Sequence, residues 1–324
     1  MPRPDDGAPV MVADPQFRAD VLAGLARRPR AIPARWFYDR RGSELFEAIT
    51  QLPEYYPTRT EAAILAAIGP ELMTLTGAGR AVVEFGSGSS AKTPLLLRAI
   101  APAAYVPIDI SGAFLRESAT TLAVDFPGLA VLPVEADFTR AIGLPAVLGD
   151  APRLGFFPGS TIGNLAPAEA VDLLRSFRNT LGKGAQLLIG MDRVKEAGTL
   201  VAAYDDDAGV TAAFNLNLLV RINRELDGTI PLDAFRHEAR WSDGAARIEM
   251  HLVAARAVSF TVAGELFSLH AGESIHTENS HKYGTRDARL LLRAGGWTPV
   301  AEWTDDADRF AVLLAEARPP EPAP

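Results

Sequence analysis

The chain contains no cysteine. That excludes a disulfide framework, thiolate zinc sites, iron–sulfur clusters and a cysteine nucleophile. No run of about 18 or more apolar residues occurs, so no membrane-spanning helix is expected. Even the most apolar stretches are broken by Arg98, Asp109, Arg153 or Arg221. Residues 1–20 lack the apolar core of a signal peptide, and a cytoplasmic location is expected. Positive charge is in deficit: 32 Lys plus Arg face 40 Asp plus Glu, for a net charge of −8 and a pI near 5.3. A nucleic-acid binder usually shows a basic face, so no nucleic-acid partner is expected. Fixed-period repeats and low-complexity tracts are also missing. These absences leave a small-molecule partner, no membrane, and a monomer as the expectation.

What is present is enough apolar material for a large core, 48% of 324 residues, over a length that fits two domains. The Pro- and Asp-rich start and the last residues, 318–324, read as disordered. From residue 81 short apolar runs alternate with helical stretches. Strands are expected over 81–85, 105–109, 129–134, 154–157 and 186–191, with helices over 92–100, 112–125 and 167–181. Strands of about five residues separated by helices are the signature of βαβ units in a doubly wound, parallel α/β sheet. The pattern then changes to a helix over 200–226 and β-type runs over 237–241, 246–256 and 258–262. A meander of that kind does not belong to the doubly wound core and reads as an inserted second domain. A helix over 285–294 and paired strands over 297–303 and 310–315 then give the sheet an antiparallel edge.

The first βα turn is Glu84-Phe85-Gly86-Ser87-Gly88-Ser89-Ser90. Its glycines allow a tight turn and a close ligand approach, but a third glycine at the dinucleotide spacing is missing. Lys92 likewise lacks the spacing of a phosphate-binding P-loop. Asp109, 23 residues after Gly86, ends the second strand, where a carboxylate can accept both ribose hydroxyls. Asp137 and Phe138 follow the third strand, where the acid suits an adenine amino group and the ring can cover the base. Each acid alone is equally at home as a cap or turn residue. Together they favour a nucleoside ligand. S-adenosylmethionine fits better than a dinucleotide, since the turn is not built for a pyrophosphate. The loop after the fourth strand, Pro158-Gly159-Ser160-Thr161-Ile162-Gly163-Asn164, leaves a carboxyl end of the sheet, where ligands bind in open α/β folds. Asn164 there can grip a carboxylate or an amine, or cap the next helix.

Motifs in order along almost the whole chain resemble the histidine Nα-methyltransferases of ergothioneine biosynthesis: WFYD at 36–39, GSELF at 42–46, LPEYYPTR at 52–59, EFGSGSSAKT, PIDIS, ADF, FPGSTIGNL, AYDDDAGVTAAFN and RIEMH. LPEYYPTR and GSTIGNL are the most specific. The resemblance implies a Rossmann-like class I methyltransferase sheet with a discontinuous α+β substrate-binding domain. The amino-acid-binding domain is expected over 1–59 plus 196–282, the S-adenosyl-L-methionine-binding domain over 60–195 plus 283–318, and a tail over 319–324. It implies transfer of three methyl groups from S-adenosyl-L-methionine to the α-amino group of L-histidine, giving hercynine. Carried over residue by residue, Tyr38, Gly86, Ser87, Gly88, Lys92, Asp109, Asp137 and Phe138 hold the cofactor. Tyr55, Tyr56, Asn164, Tyr204, Met250, Glu278, Asn279 and Ser280 hold the amino acid. Tyr38, Gly159 and Asn164 lie closest to the chemistry.

Taken singly, these residues have ordinary roles too. Tyr55 and Tyr56 suit half-buried surface positions, Tyr204 the edge of a helix, Met250 a core, and Glu278 and Ser280 a helix cap. One departure from the family pattern is Asn279, which replaces a small apolar residue between Glu278 and Ser280. No metal ligand set is expected. The alternatives are a relative acting on tryptophan or its derivatives, which would need an apolar pocket in place of Glu278, and a non-catalytic S-adenosylmethionine sensor. A nicotinamide-dependent dehydrogenase is disfavoured by the incomplete glycine fingerprint.

Overall fold

The computed structural model describes residues 14–88, 92–110, 112–140 and 142–317. Both termini read above as disordered, and Ser89 and Ser90 of the glycine-rich motif, lie outside the described residues. Helix α1 (Pro15–Ala26) opens on Asp14, whose carboxylate accepts the Gln16 N–H at 2.8 Å and satisfies a first-turn donor. Then come β1 (Arg30–Ala31), α2 (Arg40–Thr50) and α3 (Tyr56–Thr76). The alternating section follows as β2 (Ala81–Phe85), α4 (Thr93–Ile100), β3 (Ala104–Asp109), α5 (Gly112–Asp125), β4 (Ala130–Val131), β5 (Val134–Glu135), β6 (Arg153–Phe157), α6 (Pro167–Leu181) and β7 (Gln186–Asp192). Helices α7 (Ala197–Ala202) and α8 (Val210–Glu225) lead to β8 (Phe235–Ser242), β9 (Arg247–Ala254), β10 (Val258–Val262), β11 (Glu265–Leu269) and β12 (Ser274–His281). The chain closes with α9 (Thr285–Ala294), β13 (Thr298–Thr304) and β14 (Phe310–Glu316).

Packing divides the chain into two compact units, both discontinuous. The first comprises Met1–Phe46, Tyr204–Arg240 and Glu249–Glu278; the second comprises Glu47–Ala203, Trp241–Ile248 and Asn279–Pro324.

The second unit is built on one sheet in the order β13-β14-β7-β6-β2-β3-β4, with β5 also pairing with β3. Neighbours from β7 to β4 are parallel, and β14 runs antiparallel to both β7 and β13. This is a doubly wound, Rossmann-like α/β sheet, with the reversed strand lying one place inside the edge. One face, with Val83, Phe85, Val106, Phe157 and Leu187, packs against α6 and α9 through Leu174, Phe177 and Leu292. The Phe85 and Phe177 rings stack at 3.8 Å. The other face, with Val82, Tyr105, Leu154, Leu188 and Val312, packs against α3 and α4 through Leu65, Leu72 and Leu97. Burial on both faces is why these strands read as continuous apolar runs.

Two expectations change. The strand over 129–134 is two short pieces: the Leu132 N–H still bonds the Tyr105 carbonyl at 2.8 Å, but Pro133 has no N–H to continue the ladder. The helix over 200–226 is broken as well. Asp206 accepts the Val210 and Thr211 N–H groups at 2.9 and 2.8 Å, satisfying the first turn of α8 and starting it afresh.

In the first unit β1, β12, β9 and β8 form a four-stranded sheet in that order, with β1 parallel to β12 through Arg30 opposite Ile275. The hairpin of β10 and β11 turns at Ala263 and Gly264, between Val262 and Glu265.

Candidate active site

The cofactor residues expected in the second unit gather where β2, β3 and β5 end. Gly86 and Ser87 donate their N–H groups to the Ile108 carbonyl at 2.8 and 3.1 Å, and the Gly88 N–H reaches Asp109 Oδ2 at 3.1 Å. Gly86 has φ +72°, and a Cβ there would come within 3.0 Å of the Phe138 ring. The glycine is therefore required twice, by backbone conformation and by the aromatic ring over the turn. Asp137, next to that ring, accepts the Thr139 N–H and O–H at 2.9 and 2.6 Å, in the manner of an Asx turn.

Beneath this turn lies a buried acid. Glu84 accepts hydroxyl hydrogen bonds from Thr93 and Tyr105, both at 2.6 Å. Burial pushes its carboxyl up to about 7, opposed by those hydrogen bonds and by Lys92. Lys92 itself forms an ion pair with Glu61 of α3. The same Glu61 oxygen accepts the Gly159 N–H at 2.8 Å, so this acid ties the loops after β2 and β6 together. The other Glu61 oxygen lies 2.0 Å from where a Cβ of Gly190 would stand, so only glycine fits at that point of β7.

A second cluster lies at the end of β7. Asp192 accepts the Tyr56 hydroxyl at 2.8 Å and ion-pairs with Lys195 at 2.7 Å and with Lys282 at 2.8 Å. Its own N–H donates to Ser160 Oγ at 2.9 Å. Lys282 Nζ also donates to Ser280 Oγ at 2.8 Å, which leaves the serine O–H to serve as a donor. Lys195 donates to the Tyr56 hydroxyl at 2.6 Å, and burial lowers its ammonium to about 8 against the pull of Asp192. Ser160 holds φ +56°, a sparsely populated region for a residue with a side chain. Three residues on, Gly163 packs on the backbone of His281: a Cβ would lie 2.8 Å from the His281 carbonyl oxygen. The loop bearing Asn164 is thereby fixed to the segment bearing Asn279 and Ser280. The carboxamide oxygen of Asn279 is buried and accepts no hydrogen bond from the described protein groups.

Tyr55 and Tyr56 are 7% and 2% exposed, so they are core residues rather than half-buried surface aromatics. Glu278 and Ser280 lie in strand β12, not at a helix cap.

The remaining expected residues belong to the first unit. Tyr38 meets the rings of Phe46 and Phe214 edge-on, both at 5.8 Å. Tyr204 lies between α7 and α8, and its carbonyl accepts His237 Nε2–H at 2.7 Å. Because a carbonyl only accepts, His237 Nδ1 must be the acceptor for the Asn215 amide at 2.8 Å. Burial lowers the pKa of this histidine and keeps it neutral. Asn215 Oδ1 in turn accepts the Thr277 hydroxyl at 2.8 Å, and that hydroxyl lies 3.1 Å from the Met250 carbonyl. Tyr204 and Thr277 are thus joined by a buried chain of hydrogen bonds that ends beside the Met250 carbonyl.

The family description "histidine-specific methyltransferase, SAM-dependent" matches residues 17–317. The chain belongs to this histidine-specific methyltransferase family. It is 43% identical to the histidine N-alpha-methyltransferase of Mycolicibacterium smegmatis, over 92% of this chain and 94% of that protein. It is 41% identical to that of Mycobacterium tuberculosis, with the same coverage. Similarity to the 4-dimethylallyltryptophan N-methyltransferase of Claviceps purpurea is lower, 24% over 90% of this chain and 92% of that one.

For a histidine-specific methyltransferase, sequence reasoning missed Glu61, Asp192, Lys195, Lys282 and His237. Gly190 inside a buried strand was the one local signal for Glu61, since such glycines mark a close approach. Lys195 is only three residues from Asp192, but Lys282 and Tyr56, which complete the cluster, come from 90 and 136 residues away and carry no local signal.

Proposed function

We propose that this protein is an S-adenosylmethionine-dependent enzyme that methylates the α-amino group of L-histidine three times to give hercynine. The observation that carries this reading is the 43% identity over 92% of the chain to a histidine N-alpha-methyltransferase. The residues around Gly86 fit the cofactor: a cradle that a Cβ would fill, an aromatic ring over it and Asp109 at the strand end. When bound, S-adenosylmethionine supplies a methyl group already activated by sulfonium.

The protein's own work is then alignment and control of charge. We assign Gly86, Ser87, Gly88, Lys92, Asp109, Asp137 and Phe138, with Tyr38, to the cofactor. Lys92 acts through its pairing with Glu61 and the Gly159 N–H, holding the loop that bears Gly159. Tyr55, Asn164 and Tyr204 take the carboxylate of the amino acid. Glu278 and Ser280 take the imidazole, with Met250 lining the ring. The unsatisfied oxygen of Asn279 supports a further acceptor for an imidazole N–H, which bears on the departure at that position. The amine must lose its proton before it attacks, and that proton leaves by water or a polar relay near Tyr38 and Gly159. Tyr56 is assigned a positioning role on Asp192, since its hydroxyl is engaged there.

The test is mass spectrometry of each amino acid incubated with S-adenosylmethionine and the protein. Histidine alone should gain three methyl groups. Methylation of tryptophan but not histidine overturns the reading. Glu278→Ala should raise the histidine KM far more than the cofactor Kd, because an imidazole-binding site then loses its anchor. Equal losses in both would remove that role from Glu278.

A further inference from the structure

The first unit contains a cluster that the methyl-transfer reading does not use. Glu249 and His251 lie two residues apart on β9, so strand alternation directs both to one face. β12 is the neighbouring strand, and the His276 ring lies 5.1 Å from the His251 ring, inclined by 30°. One ligand atom from each of Glu249, His251 and His276 lies within 4.8 Å of the others. We infer that these three side chains form a binding site for a divalent transition-metal ion of the zinc type.

The spacing is already close to a coordination sphere. Glu249 Oε2 and His251 Nε2 are 3.2 Å apart. Two tetrahedral ligands at ~2.0–2.1 Å from zinc stand roughly 3.4 Å apart. The His276 ligand atom lies within 4.8 Å of both, so a change of side-chain rotation can bring it into the same sphere.

Both rings are also oriented as metal-bound imidazoles usually are, with the second nitrogen hydrogen-bonded to an outer group. His276 Nε2 lies 2.8 Å from the Glu278 carbonyl, which can only accept, so the proton sits on Nε2 and the lone pair on Nδ1. His251 Nδ1 faces Ser274 Oγ at 3.1 Å, which leaves Nε2 toward Glu249. His251 is buried, and its pKa is lowered to about 4 by that burial, with Arg240 of β8 and His276 of β12 adding to the effect and Glu249 opposing it. The ring is neutral near pH 7, and its Nε2–H donates to the Glu249 carboxylate, so an ion bound at Nε2 would displace that proton to solvent or to Nδ1, where Ser274 Oγ can accept it. Two imidazoles and one carboxylate favour zinc, cobalt or nickel over magnesium or calcium, and three protein ligands leave a position for water. The carbonyl that orients His276 belongs to Glu278, so an ion here would also fix β12 at the residue assigned to the substrate.

The experiment is calorimetric titration of zinc chloride into tag-free, chelator-treated protein without amino acid. One zinc per chain is expected, and magnesium should give no binding. Glu249→Gln and His276→Leu should each weaken zinc at least tenfold, whereas His270→Gln should change it less than twofold. Undiminished zinc binding in His251→Ala/His276→Leu overturns the site, as does the absence of a one-to-one phase. Nitrogen-15 spectra of the unaltered protein give a readout that no variant can confound. The ring nitrogens of His251 and His276 should shift with the first equivalent of zinc, and unmoved rings would equally overturn the site.

Discussion

Glu84 and Asp192 are both buried carboxylates of one sheet, on β2 and β7 with β6 between them, yet they are compensated in opposite ways. Glu84 receives two neutral hydroxyl hydrogen bonds and is pushed up to about 7, so near neutrality it is partly a carboxylic acid. Asp192 receives one hydroxyl and two ammonium groups and is the counter-charge of a buried cluster. The lesson is that burial alone does not decide the charge of an acid; the charge of its donors does. A neutral environment makes the acid the part that yields, whereas paired lysines make its removal the costly event.

The largest effect should come from Asp192→Ala. It removes the carboxylate that Lys195 and Lys282 share, and breaking a buried pair in this way costs about 3–5 kcal/mol. Chemical denaturation should show that loss, and a stability within about 1 kcal/mol of the parent would break the comparison. Glu84→Gln comes next, as a pH effect. The folded pKa of Glu84 lies above its unfolded value of 4.5, so its contribution is fully present below 4.5 and is lost as the pH rises through about 7. The parent should therefore gain stability relative to Glu84→Gln as the pH falls from about 7 to 4.5, by ~3 kcal/mol in the limit. Parallel urea titrations across that window check it, and a constant difference would mean that Glu84 is ionised throughout. Tyr56→Phe is the smallest: losing one hydroxyl from the cluster should cost about 1–2 kcal/mol. Thermal denaturation should register it while the histidine KM stays unchanged. A raised KM at unchanged stability would move Tyr56 from positioning to substrate contact.

The same contrast explains what was legible in the sequence. α5, α6, α9, β2 and β10 begin and end where the pattern predicts, because apolar periodicity and turn residues are local signals. β12 escaped, since its sequence from Ser274 to His281 is polar at most positions. Gly86, Asp109 and Phe138 were readable as a group because the alternating topology brings strand ends together. Glu84 was visible as part of the motif, but its burial between Thr93 and Tyr105 was not. Asp192 and Lys282 were invisible for a deeper reason. A charged residue ending an apolar strand reads as exposed until the partner, 90 residues away, is known.

The hydrogen-bonded chain from Thr277 through Asn215 to His237 has a direction. Asn215 gives its two N–H bonds to the His237 ring and the His251 carbonyl, and takes one at its oxygen. A second proton on His237 would face an amide that has only hydrogens to offer. Turning the amide over would rescue that contact but set its oxygen against the His251 carbonyl. No single link can therefore reverse alone. Acid should leave this part of the protein intact until the whole row inverts or opens together, so its response to falling pH is a threshold rather than a slope.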